Sequence, residues 1–139
     1  MHKHPTTSTR PFLKWAGGKQ RLLKSLLPLL PPGARLIEPF VGAGSVFLAA
    51  HYPTYGLNDA NADLVAVWTA LKRSPCDYVR NAAAYFCEAN HKQSSYLALR
   101  ETFNASSDPH FRAILLPYLN RFGFNGLYRV SRTGAFNVP

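Results

Sequence analysis

Apolar residues recur along this chain with two different periods. Beyond residue 61 they fall three and four positions apart: Leu64, Val65, Trp68 and Leu71; Tyr78, Ala82, Tyr85 and Phe86; Tyr96, Leu99 and Phe103; Phe111, Ile114, Leu115 and Leu119. That spacing predicts four helices, each burying one face. Ser74-Pro75 and Asp108-Pro109 each set a capping side chain before a proline at the first helical position. Pro117 is expected to kink the last helix. The aromatic stripes are read as core.

Before residue 61 the pattern is shorter and mixed. Residues 20–30 read as an amphipathic helix, distorted by Pro28 and stopped by Pro31-Pro32-Gly33. Residues 35–40 read as a buried strand, 41–44 as a tight glycine turn, 45–51 as a helix and 55–57 as a second strand ending at Asn58-Asp59. Near the other end, 127–130 and 135–138 read as two strands of a hairpin joined by Ser131-Arg132-Thr133-Gly134. An α/β unit thus gives way to a helical segment near Ala60. The polar residues 1–9 read as a disordered tail.

Composition narrows the class. With 139 residues, 47% hydrophobic and 13% aromatic, the chain is too apolar for a disordered state. No apolar run reaches the roughly 18 residues of a membrane span, and the polar start shows no secretory signal, so a cytoplasmic protein is expected. Cys76 and Cys87 suit no metal framework. Set eleven residues apart, they are expected on one helix face as small buried side chains. The net charge of +9 is uneven: residues 1–35 hold seven bases and no acid, and 109–139 hold four arginines and no acid. Two basic ends around a near-neutral middle favour a polyanion partner.

Three motifs carry candidate chemistry. In Glu38–Ser45 (EPFVGAGS), Gly42 and Gly44 let the backbone turn sharply beside a ligand. Asp59 ends the next strand, where a carboxylate can accept hydrogen bonds from ribose hydroxyls. Phe47 replaces the third glycine of the dinucleotide pattern, and the spacing leaves NAD, S-adenosylmethionine or another adenosine cofactor open. In Phe12–Lys19 (FLKWAGGK), Trp15 offers a stacking wall and Lys19 a charge for an anionic group; a packed indole and a solvated lysine would read the same way. In Tyr118–Arg129 (YLNRFGFNGLYR), Asn120, Arg121, Asn125 and Arg129 can form bidentate bonds, and Phe122, Phe124 and Tyr128 can stack or wedge. A two-stranded ribbon fits the DNA major groove, where Arg reads guanine, and Arg121 and Arg132 suit phosphates.

Taken together, FLKWAGGK, EPFVGAGSVF, Asn58-Asp59 and LNRFGFNGLYR…GAFNVP, in that order, resemble the Dam-type (D12 class) DNA adenine-N6 methyltransferases over residues 10–139. The resemblance implies a partial Rossmann-like α/β fold of the S-adenosylmethionine-dependent methyltransferases, with residues 10–60 in the catalytic domain. An inserted, mainly helical target-recognition region would span 61–139 and end in a β-hairpin near 127–138. Trp15, Lys19, Phe40, Gly42, Gly44 and Asp59 would contact S-adenosylmethionine. Arg129 would read guanine of GATC in double-stranded DNA, Leu127 and Pro139 would touch other bases, Asn125 the backbone, and Phe124 would insert at the displaced adenine. Asn120, Arg121 and Arg132 complete the DNA-binding set. The whole protein is expected to be monomeric, to need no metal and to associate with no membrane.

The family's Asp-Pro-Pro-Tyr motif does not occur in these 139 residues. The expectation is therefore a truncated chain, inactive alone, of marginal stability, with an unpaired or apolar edge along its first strand. The alternative is a non-catalytic, sequence-specific DNA-binding module.

Overall fold

A computed structural model describes residues 10–139; the tail expected at 1–9 lies outside the described residues. The architecture is mixed α/β, with a small parallel sheet followed by a helical bundle. Strand β1 (Arg35–Glu38) pairs in parallel with β2 (Thr54–Leu57), with Arg35 opposite Thr54 and Glu38 opposite Leu57. Asn58 N–H to Glu38 C=O and Val41 N–H to Asn58 C=O carry the pairing one step into the glycine turn. Ile37 stays 68% exposed, so the strand read as buried leaves an apolar side chain uncovered.

Two helices expected in this half are not formed as such. Residues 20–30 break into a 3₁₀ turn (Lys19–Leu22), a single α turn, α1 (Leu23–Leu26), and a second 3₁₀ turn (Leu27–Leu29). Pro28 donates no hydrogen bond and crowds the preceding turn, and Leu23 alone of this segment is buried, so packing does not enforce one helix. Residues 45–51 form successive turns instead of a helix. Leu48 and Ala50 N–H bond four residues back, to Gly44 and Val46, but Ala49 reaches only three back to Val46. A segment this short does not sustain a helix on its own; burial of Val46 and Ala50 holds it.

The helical half follows the periodicity. It comprises α2 (Ala62–Arg73), α3 (Pro75–Ala83), α4 (Gln93–Ala105) and α5 (Pro109–Phe122). Asn61 caps α2 by accepting from Leu64 N–H, and Asp108 caps α5 by accepting from His110 N–H. Ser74 sits at the start of α3 without capping it, because its hydroxyl bonds the Asp77 carboxylate. Helix α5 is central and packs on α2, α3 and α4. The core holds Leu64, Val67, Tyr78, Tyr96, Phe103, Leu115, Leu116, Tyr118 and Leu119, closed by Phe136 and Val138. The assigned helix runs unbroken through Pro117. Cys76 and Cys87 are both exposed, and Cys87 lies beyond the end of α3; the face they were expected to share does not exist.

The hairpin is reduced to one antiparallel bridge, Val130 with Phe136. Asn137 N–H bonds Arg129 C=O, and Ser131 N–H bonds Ala135 C=O across the turn. A longer ribbon does not form because α4 claims the second arm's backbone. Asn104 bonds both the N–H and the C=O of Phe136, while Tyr96 and Arg100 donate to the Val138 carbonyl.

Candidate cofactor cavity and nucleic-acid face

The segment after Phe12 and the glycine turn after β1 face each other across a cavity of about 220 Å³. Trp15, Lys19, Phe40, Gly42 and Asp59 all line it, joined by Gly17, Gly18 and Ser45. Complete small-molecule sites run to roughly 300–1,000 Å³, so the space matches part of a ligand site. Asp59 shapes the turn directly. Its Oδ2 accepts from Gly42 N–H at 2.9 Å and its Oδ1 from Asn61 N–H at 3.0 Å. Each oxygen keeps a further lone pair for a ligand hydroxyl. Lys19 Nζ donates to the Phe40 carbonyl at 3.1 Å, and Trp68 Nε1 donates to the Gly42 carbonyl at 3.1 Å. The turn is therefore tied to three separate elements.

Gly44 does not line the cavity. At φ +82° it takes the left-handed bend, and a Cβ there would lie 2.5 Å from Phe47 and 3.0 Å from Trp68. Its bend and its missing side chain serve the turn and its packing on Phe47 and Trp68. Behind the turn, Glu38 is only 8% exposed, with neither carboxylate oxygen hydrogen-bonded. Burial pushes its pKa up, and the positive charge of Lys19 opposes the shift.

The C-terminal arm packs on Trp15, one of the residues that line this cavity. The Tyr128 ring packs on Trp15 with centroids 5.2 Å apart, and its hydroxyl donates to Asp63 Oδ2 at 2.5 Å. Burial, then the bond to Asp63, pushes the Tyr128 pKa up to about 12. Asp63 is also gripped by Arg112, through Nε at 2.6 Å and Nη2 at 2.7 Å. That bond raises the Arg112 pKa further. Asn120 locks the Phe12–Lys19 segment to α5: it accepts from Lys14 N–H and donates to the carbonyls of Lys14 and Gly126. The Lys14 side chain lies across Gly126, where a Cβ would meet its Cδ at 2.5 Å. Among the described residues, no three His, Cys, Asp or Glu side chains gather into a metal-binding group, and no helix is long and apolar enough to cross a membrane.

Comparison with known proteins supplies the family. The model for D12 class N6 adenine-specific DNA methyltransferases matches residues 15–139. The chain belongs to this family. It is similar to proteins named DNA adenine methylase, being 47% identical to that of Vibrio cholerae O1 El Tor Inaba N16961 and 48% identical to those of Escherichia coli K12 and Serratia marcescens. Each match runs over 130 residues and takes in 94% of this chain, but only 47%, 47% and 48% of the respective relatives. The chain spans about half the length of the curated relatives it matches.

The residues expected to meet DNA divide sharply in this D12-class chain. Arg121, Phe124, Asn125, Leu127, Arg129, Arg132 and Pro139 are exposed, with Phe124 at 60% and Asn125 in the left-handed region at φ 55°. Phe124 N–H bonds the Pro139 carbonyl, which brings those two positions together. Arg129 lies along its own hairpin, with Nε on Asn137 Oδ1 and Nη2 on the Asn137 carbonyl, both at 2.8 Å. Asn120 departs from expectation. It is 3% exposed and its carboxamide is consumed by the three bonds above, so it offers DNA nothing. Tyr128 is half-buried and turned toward Trp15, whereas Phe122 packs on Phe86, His91 and Tyr118 yet stays exposed at 39%. Nothing in the local pattern separates Asn120 from Asn125; only the helix face decides.

Proposed function

We propose that this chain forms part of an enzyme that methylates N6 of adenine in double-stranded DNA, with GATC as target and S-adenosylmethionine as methyl donor. The observation that carries this reading is that Trp15 and Asp59, from opposite ends of the α/β unit, line one cavity. The residues present fit such a ligand. The indole offers an apolar wall, the free lone pairs of Asp59 suit ribose hydroxyls, and the cavity size fits part of the ligand. When bound, S-adenosylmethionine supplies an electrophilic methyl group. The chain's own residues bind and orient: Trp15 and Phe40 flank, Asp59 fixes the sugar, and Lys19 and Gly42 hold the turn in shape.

On the other face, Arg129 reads guanine through paired hydrogen bonds in the major groove, and Arg121 and Arg132 engage phosphates. Leu127 and Pro139 touch neighbouring bases, Asn125 meets the backbone, and the exposed ring of Phe124 fills the gap left by a flipped adenine. In this reading residues 10–60 belong to a Rossmann-like catalytic domain, 61–139 form the target-recognition region, and the whole protein acts as a cytoplasmic monomer. The adenine amine is a poor nucleophile because its lone pair is delocalised, and no Asp-Pro-Pro-Tyr motif to polarise it occurs in these 139 residues. A second reading, favoured by the exposed Arg121, Arg129 and Arg132 of the C-terminal stretch, is a DNA-binding module without catalysis.

Two measurements test these readings. Calorimetric titration with S-adenosylhomocysteine should give saturable binding that Trp15→Ala and Asp59→Ala each weaken at least tenfold; unchanged affinity removes the cofactor assignment. Transfer of labelled methyl to a GATC duplex should be absent with this chain and present when it is extended through an Asp-Pro-Pro-Tyr motif. An extended chain that binds DNA but transfers nothing favours the module.

A further inference from the structure

The cofactor cavity and the DNA face are joined through one side chain. Tyr128 directly precedes Arg129 and touches three things at once. Its ring lies 5.2 Å from the Trp15 indole, at an interplanar angle of 37°. Its hydroxyl is fixed to Asp63 Oδ2. Its other edge meets Phe136, across the bridge from Val130, with centroids 5.5 Å apart.

The Asp63 end is rigid. The carboxylate is held by both Nε and Nη2 of Arg112. Arg112 Nη1 donates to the carbonyls of Phe103 and Ser106, and its guanidinium lies 3.9 Å over the Phe103 ring. A part-buried ion pair with this much hydrogen bonding is a fixed point. Asp63 also lies in the first turn of α2, whose cap residue Asn61 is bonded to Asp59 of the cavity. The Trp15 end is the freer one, because the indole is half-buried and forms a wall of open space.

We propose that Tyr128 is a positioning residue that couples cavity and DNA face: a ligand seated against Trp15 presses the indole onto the Tyr128 ring, and because the hydroxyl cannot move, the Arg129 backbone and the bridged arm are held in one orientation. The proposal rests on the function argued above. Aromatic pairs have preferred tilts and offsets, so the indole position biases the ring. Coupling between two binding sites is reciprocal: whatever DNA gains from the filled cavity, the cavity ligand gains from DNA.

Affinity of the chain for a fluorescein-labelled GATC duplex is read by anisotropy with and without saturating S-adenosylhomocysteine, which cannot transfer a methyl group. With the native chain the ligand should tighten duplex binding by about fivefold or more, the lower end of measured couplings. Tyr128→Leu should bring that ratio below about twofold while the chain still binds each ligand separately. Tyr128→Phe keeps the ring, frees it from Asp63 and should fall between, and circular dichroism melts check that each variant is folded. A ratio unchanged in Tyr128→Leu overturns the proposal, as does a parallel loss of both affinities with the ratio kept, which marks a structural role only. A native chain that binds both ligands with a ratio of one overturns the proposal and leaves the function standing. A native chain that binds neither overturns both.

Discussion

Tyr78 donates its buried hydroxyl to the carbonyl of Ala113 at 3.0 Å. Ala113 stands four residues before Pro117, so its carbonyl is the one that proline leaves without a helical donor. A side chain from α3 thus repairs the backbone of α5, and the helix passes through a proline with its hydrogen bonding complete. Burial raises the Tyr78 pKa well above the ordinary tyrosine range, so the hydroxyl keeps its proton.

Tyr78→Phe should therefore cost about 1–3 kcal/mol in urea-induced unfolding, the penalty of an unsatisfied buried acceptor. The double variant with Pro117→Ala restores an N–H to the helix. It should lose much less than the sum of the two single changes. Strict additivity would show that the two groups do not share the Ala113 carbonyl.

Asn120→Ala removes the partner of three backbone groups, on Lys14 and Gly126. With roughly 1–3 kcal/mol for each polar group left unpaired in the interior, the loss should exceed about 2 kcal/mol. Duplex affinity in the folded population should change little, because the side chain faces inward. A selective loss of DNA binding without a fall in melting temperature would return Asn120 to the DNA face.

Glu38 makes stability depend on pH in a defined direction. Its folded-state pKa is raised above 4.5, by burial first, with Lys19 opposing. The folded chain thus keeps a proton that the unfolded chain has already lost. Stability falls as pH climbs from about 4.5 through the folded-state value. Glu38→Gln should accordingly melt higher than the native chain at neutral pH, with the gap closing toward about pH 4. A gap independent of pH would show that the carboxylate charge carries no penalty.

Arg129→Ala should relax discrimination at the guanine of the target by about 1–3 kcal/mol, measured by competition among duplexes that differ at that base. Loss of affinity shared equally by all duplexes would instead make Arg129 a phosphate contact. Because the guanidinium is bonded to Asn137 in the free chain, Asn137→Ala should disturb binding in the same direction but less.

By itself the sequence determined the helical half and the location of the cavity. Helices α2 to α5 were legible because a repeat of three and four apolar positions, with α3 and α5 opened by Ser74-Pro75 and Asp108-Pro109, is a local signal that packing later confirms. Trp15, Gly42 and Asp59, each open to a packing reading when taken singly, were legible because their short motifs occur together and in one order, and the fold brings all three to one cavity. Tertiary structure alone decided the rest. Segment 45–51 is apolar enough for a helix, yet a short segment takes the conformation its burial dictates. The second hairpin arm gave its hydrogen bonds to Asn104, Tyr96 and Arg100 of α4, distant residues that no local pattern contains. Asn120 and Tyr128 turned inward and Phe124 outward for the same reason. Within an alternating aromatic and polar stretch, only partners brought from 65 and 106 residues away determine which side chains are spent inside the fold and which remain at the surface.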